Sequence, residues 1–385
     1  MSNEYLTNFD PARVESPAFV VDLGALEANL RRVSEVRRRT GAQILMALKA
    51  FAVPATFPLM RQFLQGVCSS SPHESRLGRE RFGLEVHCYS PAYSEGDMRE
   101  QLDLSDHIVF NSLTQWERFK AVCLARPGKS FGLRVNPQHS ETGVALYDPC
   151  APGSRLGVTA DELQGHDIQG IEGLHVHTLC QKGADALDRT ASAFERQFSP
   201  WLKRMKWLNF GGGHAITRGD YDLDLLCSVI ERFQKTYGLQ VYLEPGETVA
   251  ANTGSLFSTV LDVVSNSGVA TAILDVSATC HMPDVLEMPY HAEVRGSLAP
   301  ENAPWRCRLG GLSCLAGDVI GEYGFAAPLR PGDRLEFLDM IQYTMVKTTT
   351  FNGVRLPSIA LYDPRADRVE VVRRFGYEDY LARLA

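Results

Sequence analysis

Residues 107–136, HIVFNSLTQWERFKAVCLARPGKSFGLRVN, hold two short β-rich runs on either side of an amphipathic stretch. HIVFNS and SFGLRVN are nearly continuous in apolar residues, as in strands covered on both faces, and TQWERFKAVCLA between them suits a helix lying on a sheet. That is a β-α-β unit, and the alternation continues in both directions. Upstream lie AQILMALK (42–49), GVCS (66–69) and LEVHCYS (84–90). Downstream lie EGLHVH (172–177), KWLNF (206–210) and LQVYLE (239–244), the last preceded by the amphipathic LDLLCSVIERFQKTYG. Eight such units in about 200–250 residues match a (β/α)8 barrel. A doubly wound open sheet is the competing arrangement, but no G-x-G-x-x-G follows the first strand. The expected fold is α/β, a TIM-like barrel.

The pattern changes on both sides of this core. PAFVVD (17–22) precedes the barrel and could add a strand to a second domain; it leads into a helix in which Leu26, Leu30 and Val33 recur at helical spacing. Beyond about residue 250 the runs LFSTVLDVVSNSG, TAILDVSA, YHAEVRGSL, WRCRLGG, DRLEFLD and IQYTMVKTTTF are β-rich, with turns such as PGD (331–333) between them. We therefore expect a barrel over residues 24–250 and a mostly antiparallel β domain from 1–23 plus 251–385.

The chain has 385 residues and carries 39 Lys+Arg against 46 Asp+Glu, a net charge of −7. An acidic balance disfavours nucleic-acid binding, which needs a basic footprint. The nine cysteines form no C-x-x-C pair, which suits a reducing compartment and thiols that pack as small hydrophobes. MSNEYLTNFDPARVES lacks a basic segment followed by an apolar one, and no apolar run reaches membrane-spanning length, so a cytosolic protein without membrane contact is expected.

Barrel active sites are built at the C-terminal ends of the strands. Lys49 closes the first strand, His177 the sixth and Glu244 the eighth, while Gly211, Gly212 and Gly213 follow the seventh; Ser69–Ser71 and Ser90 also lie at strand ends. Each has a plain structural reading: a lysine reaching solvent, a packed histidine, a mobile turn, a turn carboxylate. Together they offer what pyridoxal phosphate needs from a protein: an amine for a Schiff base, a ring to stack, backbone N–H groups for a phosphate and a carboxylate for the pyridine nitrogen.

ALKA around Lys49, HVHT around His177, GGG (211–213), EPGE (244–247), GGLSCLAGD (310–318) and QYTMVKTTTFNG (342–353) resemble, in this order, the alanine-racemase-type barrel decarboxylases. That family includes the ornithine, arginine and diaminopimelate enzymes. ALKAF, YSPAY, SRLGV, EPGE, SCLAGD and YTMVKTTTFNG are most similar to its members that act on carboxynorspermidine and carboxyspermidine in polyamine biosynthesis. The resemblance implies a pyridoxal-phosphate-dependent carboxy-lyase in which Lys49 carries the cofactor, His177 stacks on it and Glu244 meets its ring nitrogen. Gly211, Gly212, Gly213 and Tyr343 would bind the phosphate. Cys314 would protonate Cα from the partner subunit of a head-to-tail homodimer, and Asp318 would lie near a substrate ammonium. Two departures stand out: Glu247 occupies the position where relatives commonly carry arginine, and Cys180 occupies that of a phosphate-contacting serine. An anion in place of a cation disfavours a diaminopimelate substrate and suits a cationic, polyamine-like one. Asp284 and Glu287 in HMPDVLEMPY are further candidates for binding amines, with a solvated loop as the alternative. Other amino-acid decarboxylation, racemisation and non-catalytic cofactor binding remain the competing functions; no metal site is expected.

Overall fold

A computed structural model describes residues 5–385. The first strand, β1 (Ala18–Asp22), is buried at every position and does not belong to the barrel. Eight strands follow that close on themselves: β2 (Gln43–Ala47), β3 (Gly66–Ser69), β4 (Glu85–Tyr89), β5 (His107–Phe110), β6 (Ser130–Arg134), β7 (Ile171–His175), β8 (Trp207–Asn209) and β9 (Gln240–Leu243). Every neighbouring pair is parallel, and β2 pairs with β9 through Gln43 opposite Tyr242 to complete the ring. The apolar runs that marked these strands reflect burial on two sides, by the barrel interior and by the surrounding helices. Leu26, Leu30, Val33 and Val36 form the buried stripe of the helix Leu23–Thr40.

The second sheet contains β1 with β10 (Gly254–Asn266), β11 (Val269–Leu274), β12 (Trp305–Gly310), β13 (Val319–Phe325), β14 (Arg334–Phe337), β15 (Ser358–Asp363) and β16 (Arg368–Arg373). Its order is β13-β12-β11-β10-β1-β15-β16, with β14 also paired to β10. Only β1–β15 and β11–β12 are parallel, so the sheet is mostly antiparallel. Residues 27–249 make one compact unit; Ala250–Ala385 and the chain up to Leu26 make the other.

Two of the expected strands do not form. YHAEVRGSL contributes isolated bridges at Val294 and Leu298 only, and IQYTMVKTTTF is a turn with a short 3-10 segment, Met345–Lys347. Tyr343 has φ 49°, a left-handed conformation that no strand can continue, so local geometry overrides the β-branched composition.

Burial pushes the imidazole of His107 down to about 3 and those of His214 and His281 down to about 4. Because these folded values lie below the unfolded one of about 6.5, their contribution to stability is complete above pH 6.5 and is lost as pH falls toward the folded values. Each imidazole can remove up to about 1.4 kcal/mol per pH unit in that window. The melting temperature is expected to fall steadily from pH 6.5 to 5; a flat profile across that range would contradict this assignment.

Candidate active site

The C-terminal end of the barrel collects a compact set of polar groups. β2 ends at Ala47, and Lys49 lies in the turn that follows rather than on the strand. That turn is pinned on both sides: the Leu48 N–H donates to the Cys68 carbonyl (3.1 Å), and the Ala47 N–H donates to Pro245 O (3.0 Å). Lys49 itself is exposed, with its amine near enough to influence Cys68, Glu74, His175, His177 and Cys180.

His177 lies two residues beyond β7. Burial, with the Lys49 and Arg134 cations, holds its imidazole well below the usual range, so the ring is neutral. Its Nδ1 accepts the Gly212 N–H (3.0 Å), which leaves the ring proton on Nε2. Its carbonyl accepts a hydrogen bond from Arg134 Nη2 (3.1 Å).

Glu244 follows β9. Burial opposes its ionisation, but nearby His175 and His87 and the amide of Asn209 outweigh that and hold the carboxyl below the usual carboxylate range. Asn209 Nδ2 donates to Oε1 (2.7 Å), and His175 Nε2 lies 3.4 Å from Oε2. Burial and the Glu244 charge push the Cys68 thiol well up, so it stays neutral beside this carboxylate.

The glycines are required by packing. Gly211 and Gly213 have φ 66° and 84°, and a Cβ on Gly212 would lie 2.4 Å from the Glu244 carbonyl oxygen. The sequence presents all three as a phosphate cradle, but two of the amides are committed inside the protein. Gly211 N–H donates to Asn209 Oδ1 (2.8 Å) and Gly212 N–H to His177 Nδ1, whereas the Gly213 N–H has no acceptor among the described residues.

Glu247 is half-buried, accepts a hydrogen bond from Gln181 Nε2 (2.5 Å) and has its carboxyl pushed up by burial. Burial and the Glu247 charge raise the Cys180 thiol, which therefore stays neutral. Of the strand-end serines, Ser69 bonds Ser75 Oγ (2.6 Å) and the His87 carbonyl (2.9 Å), and Ser71 caps the helix Pro72–Leu77. These two serve the scaffold.

Sequence reasoning missed Arg134, His175 and Asn209. Each occupies the last position of its strand, where period-two alternation in LRV, HVH and NFG could have marked it as facing the barrel interior. Arg134 is 4% exposed, lies 4.6 Å over the Tyr89 ring, and has no carboxylate within ion-pair distance among the described residues. A buried guanidinium without a counter-charge fits an anionic group.

The remaining candidates belong to the second unit. Cys314 is exposed, and its N–H is held by Asn352 Oδ1 (2.9 Å). Asp318 is buried and accepts N–H bonds from Thr279 (3.3 Å) and Ser313 (3.1 Å), so it organises its own loop. Tyr343 is half-buried, with Lys347 Nζ 6.0 Å from its ring centroid. Asp284 already pairs with Lys347 (2.5 Å), and Glu287 is exposed. At the opposite, N-terminal end of the barrel, Glu85, His87 and His107 are close enough together to suggest a metal. The two imidazoles stack 4.0 Å apart at 16°, and the Nε2 of each approaches Glu85 Oε1, at 3.0 and 3.3 Å.

An accessible amine, a neutral imidazole, a half-buried carboxylate, an unpaired guanidinium and a free backbone N–H fit a flat ring bearing an aldehyde, a basic nitrogen and a phosphate. The profile of a family described as pyridoxal-dependent decarboxylase, C-terminal sheet domain, matches residues 18–341. The chain belongs to this family and is a pyridoxal-dependent carboxy-lyase. Among its relatives, the carboxynorspermidine/carboxyspermidine decarboxylase of Campylobacter jejuni is 41% identical over 382 residues, covering 96% of this chain and 99% of the relative. The carboxyaminopropylagmatine decarboxylase of a Synechocystis species is 45% identical over 370 residues, covering 96% and 95%. A crystal structure of the Campylobacter jejuni carboxynorspermidine decarboxylase complexed with norspermidine superposes with a TM-score of 0.88 at 39% identity, covering 96% of this chain and all of the other. Among the described residues no helix is long and apolar enough to cross a membrane.

Proposed function

We propose that the chain binds pyridoxal phosphate at the C-terminal end of the barrel and removes the α-carboxyl group of a carboxylated polyamine, releasing the polyamine and carbon dioxide. The observation that carries the reading is the half-buried Glu244 carboxylate, held by the Asn209 amide, in one cluster with the Lys49 amine, the His177 ring and the uncommitted Gly213 N–H. The cofactor, when bound, supplies an electron sink for the pair left on Cα as carbon dioxide departs. Lys49 would hold it through its side-chain amine. His177, neutral and hydrogen-bonded by Gly212, packs against its ring. Glu244 would hold a proton on the ring nitrogen, and the Gly213 N–H would bind the phosphate.

Glu247 favours a substrate with a cationic far end, and Asp284, Glu287 and Asp318 are the other acids we assign to amine recognition. Carboxynorspermidine and carboxyspermidine differ by one methylene, which a pocket discriminates by only ~1–3 kcal/mol. The 45% relative supports a second reading, in which the far end is the guanidine of carboxyaminopropylagmatine. Carbon dioxide release measured with all three compounds separates them. The expected preference is at least about 10-fold in kcat/KM between the amine-ended pair and the guanidine-ended compound. No release from any of the three would overturn the polyamine assignment. Replacing Glu247 with arginine should raise KM for the preferred compound more than it lowers kcat.

We further assign proton delivery to Cα to Cys314, donated by the partner subunit of a homodimer. Equal mixing of Lys49→Ala and Cys314→Ala chains should then restore roughly a quarter of native activity, because half of the dimers are mixed and each has one intact site of two. Mixtures that never recover turnover would refute the shared site.

A further inference from the structure

His175 and His177 are alternate residues at the end of β7, so both face the barrel interior, with ring planes 22° apart and centroids 6.4 Å apart. His175 is the deeper of the two at 2% exposure, with its edge against Tyr89 at 5.4 Å between centroids. Neither of its ring nitrogens makes an aligned hydrogen bond among the described residues. A buried imidazole left in that state is uncommon and calls for a reason. The reason lies in its neighbour: Nε2 is 3.4 Å from Glu244 Oε2, while Oε1 takes the Asn209 amide.

We propose that His175 is a positioning residue for Glu244, presenting a neutral Nε2–H to Oε2 so that the carboxylate is fixed between two N–H donors and remains an anion. This rests on the cofactor part of the function proposed above and not on the substrate. The groups facing the pair are Lys49 from the turn after β2, Cys68 on β3, His87 on β4, Arg134 on β6 and His177 beyond β7. Lys49 and Arg134 are cations, and together with burial they disfavour an imidazolium at His175. A neutral donor is what the chemistry requires. An imidazolium would cancel the charge of Glu244, whereas a neutral N–H leaves the carboxylate free to hold a proton on a basic ring nitrogen.

The test uses the full chain reconstituted with pyridoxal phosphate carrying 15N in its ring, without substrate. In the native protein the ring-nitrogen resonance should report a protonated pyridine. In His175→Phe it should move toward the unprotonated position, with affinity for pyridoxal phosphate weakened about tenfold. His175→Gln, which keeps an N–H donor, should restore the resonance and bring affinity to within about twofold of native. If the phenylalanine chain does not fold, His175→Leu replaces it under the same two criteria. A native resonance and affinity in the apolar variant, or equal impairment of the glutamine and apolar variants, would overturn the proposal. Either result stands apart from the substrate assignment, which is read from carbon dioxide release.

Discussion

Replacing Lys49 with alanine is expected to lower decarboxylation by at least about 10³-fold, because in the proposed reading it is the residue that links covalently to the cofactor and acts as a unit with the rest of the site. Stability should barely change. Lys49 is exposed, its side chain makes no ion pair among the described residues, and the turn that carries it is held by backbone bonds from its neighbours. Exposed substitutions of that kind usually stay within about 0.5 kcal/mol. The variant should therefore fold normally and still bind pyridoxal phosphate reversibly, but lack the absorbance of the lysine-linked form. A Lys49→Ala chain that kept this absorbance and normal turnover would remove the basis of the assigned chemistry.

Glu244 should give the second large effect, and two substitutions there separate its roles. Glu244→Gln keeps the shape and a carbonyl for the Asn209 amide but removes the charge, so kcat is expected to fall by about 10²–10³-fold with a small change in stability. Glu244→Ala removes the acceptor as well, leaving Asn209 Nδ2 buried without a partner at a cost of about 1–3 kcal/mol. Turnover and urea midpoints measured on both variants check this. Equal stability of the two would show that the contact with Asn209 does not hold the barrel end together, and normal turnover in the glutamine variant would show that the charge is not used.

The barrel was legible because strands covered on both faces leave uninterrupted apolar runs: seven of its eight strands fall within runs recognised in the sequence, and the eighth, β7, begins one residue before its run. The second sheet was legible in part. β16 alternates polar and apolar residues on a half-exposed edge, so RVEVVR carries no strong run and was passed over. IQYTMVKTTTF shows the opposite error: its composition suits a strand, but Tyr343 and, just beyond, Asn352 (φ 56°) take left-handed conformations. The candidate site divides in the same way. Lys49, His177 and Glu244 could be found because each is a polar residue terminating an apolar run. Arg134, His175 and Asn209 sit inside comparable runs, where one strand alone gives no sign of what each side chain meets.

The sequence alone was enough for the architecture and the family, because periodicity and motif order are properties of the chain itself. Tertiary structure decided the state of those groups. Glu244 is an anion because Asn209, 35 residues away, and His175 meet it in a buried place. His177 is neutral, with its proton on Nε2, because Gly212 takes the other nitrogen. Two of the three glycine amides are committed within the protein, which leaves Gly213 for an anion. Desolvation and hydrogen-bond partners come from residues far apart in sequence, so charge and proton positions are settled only when the barrel closes.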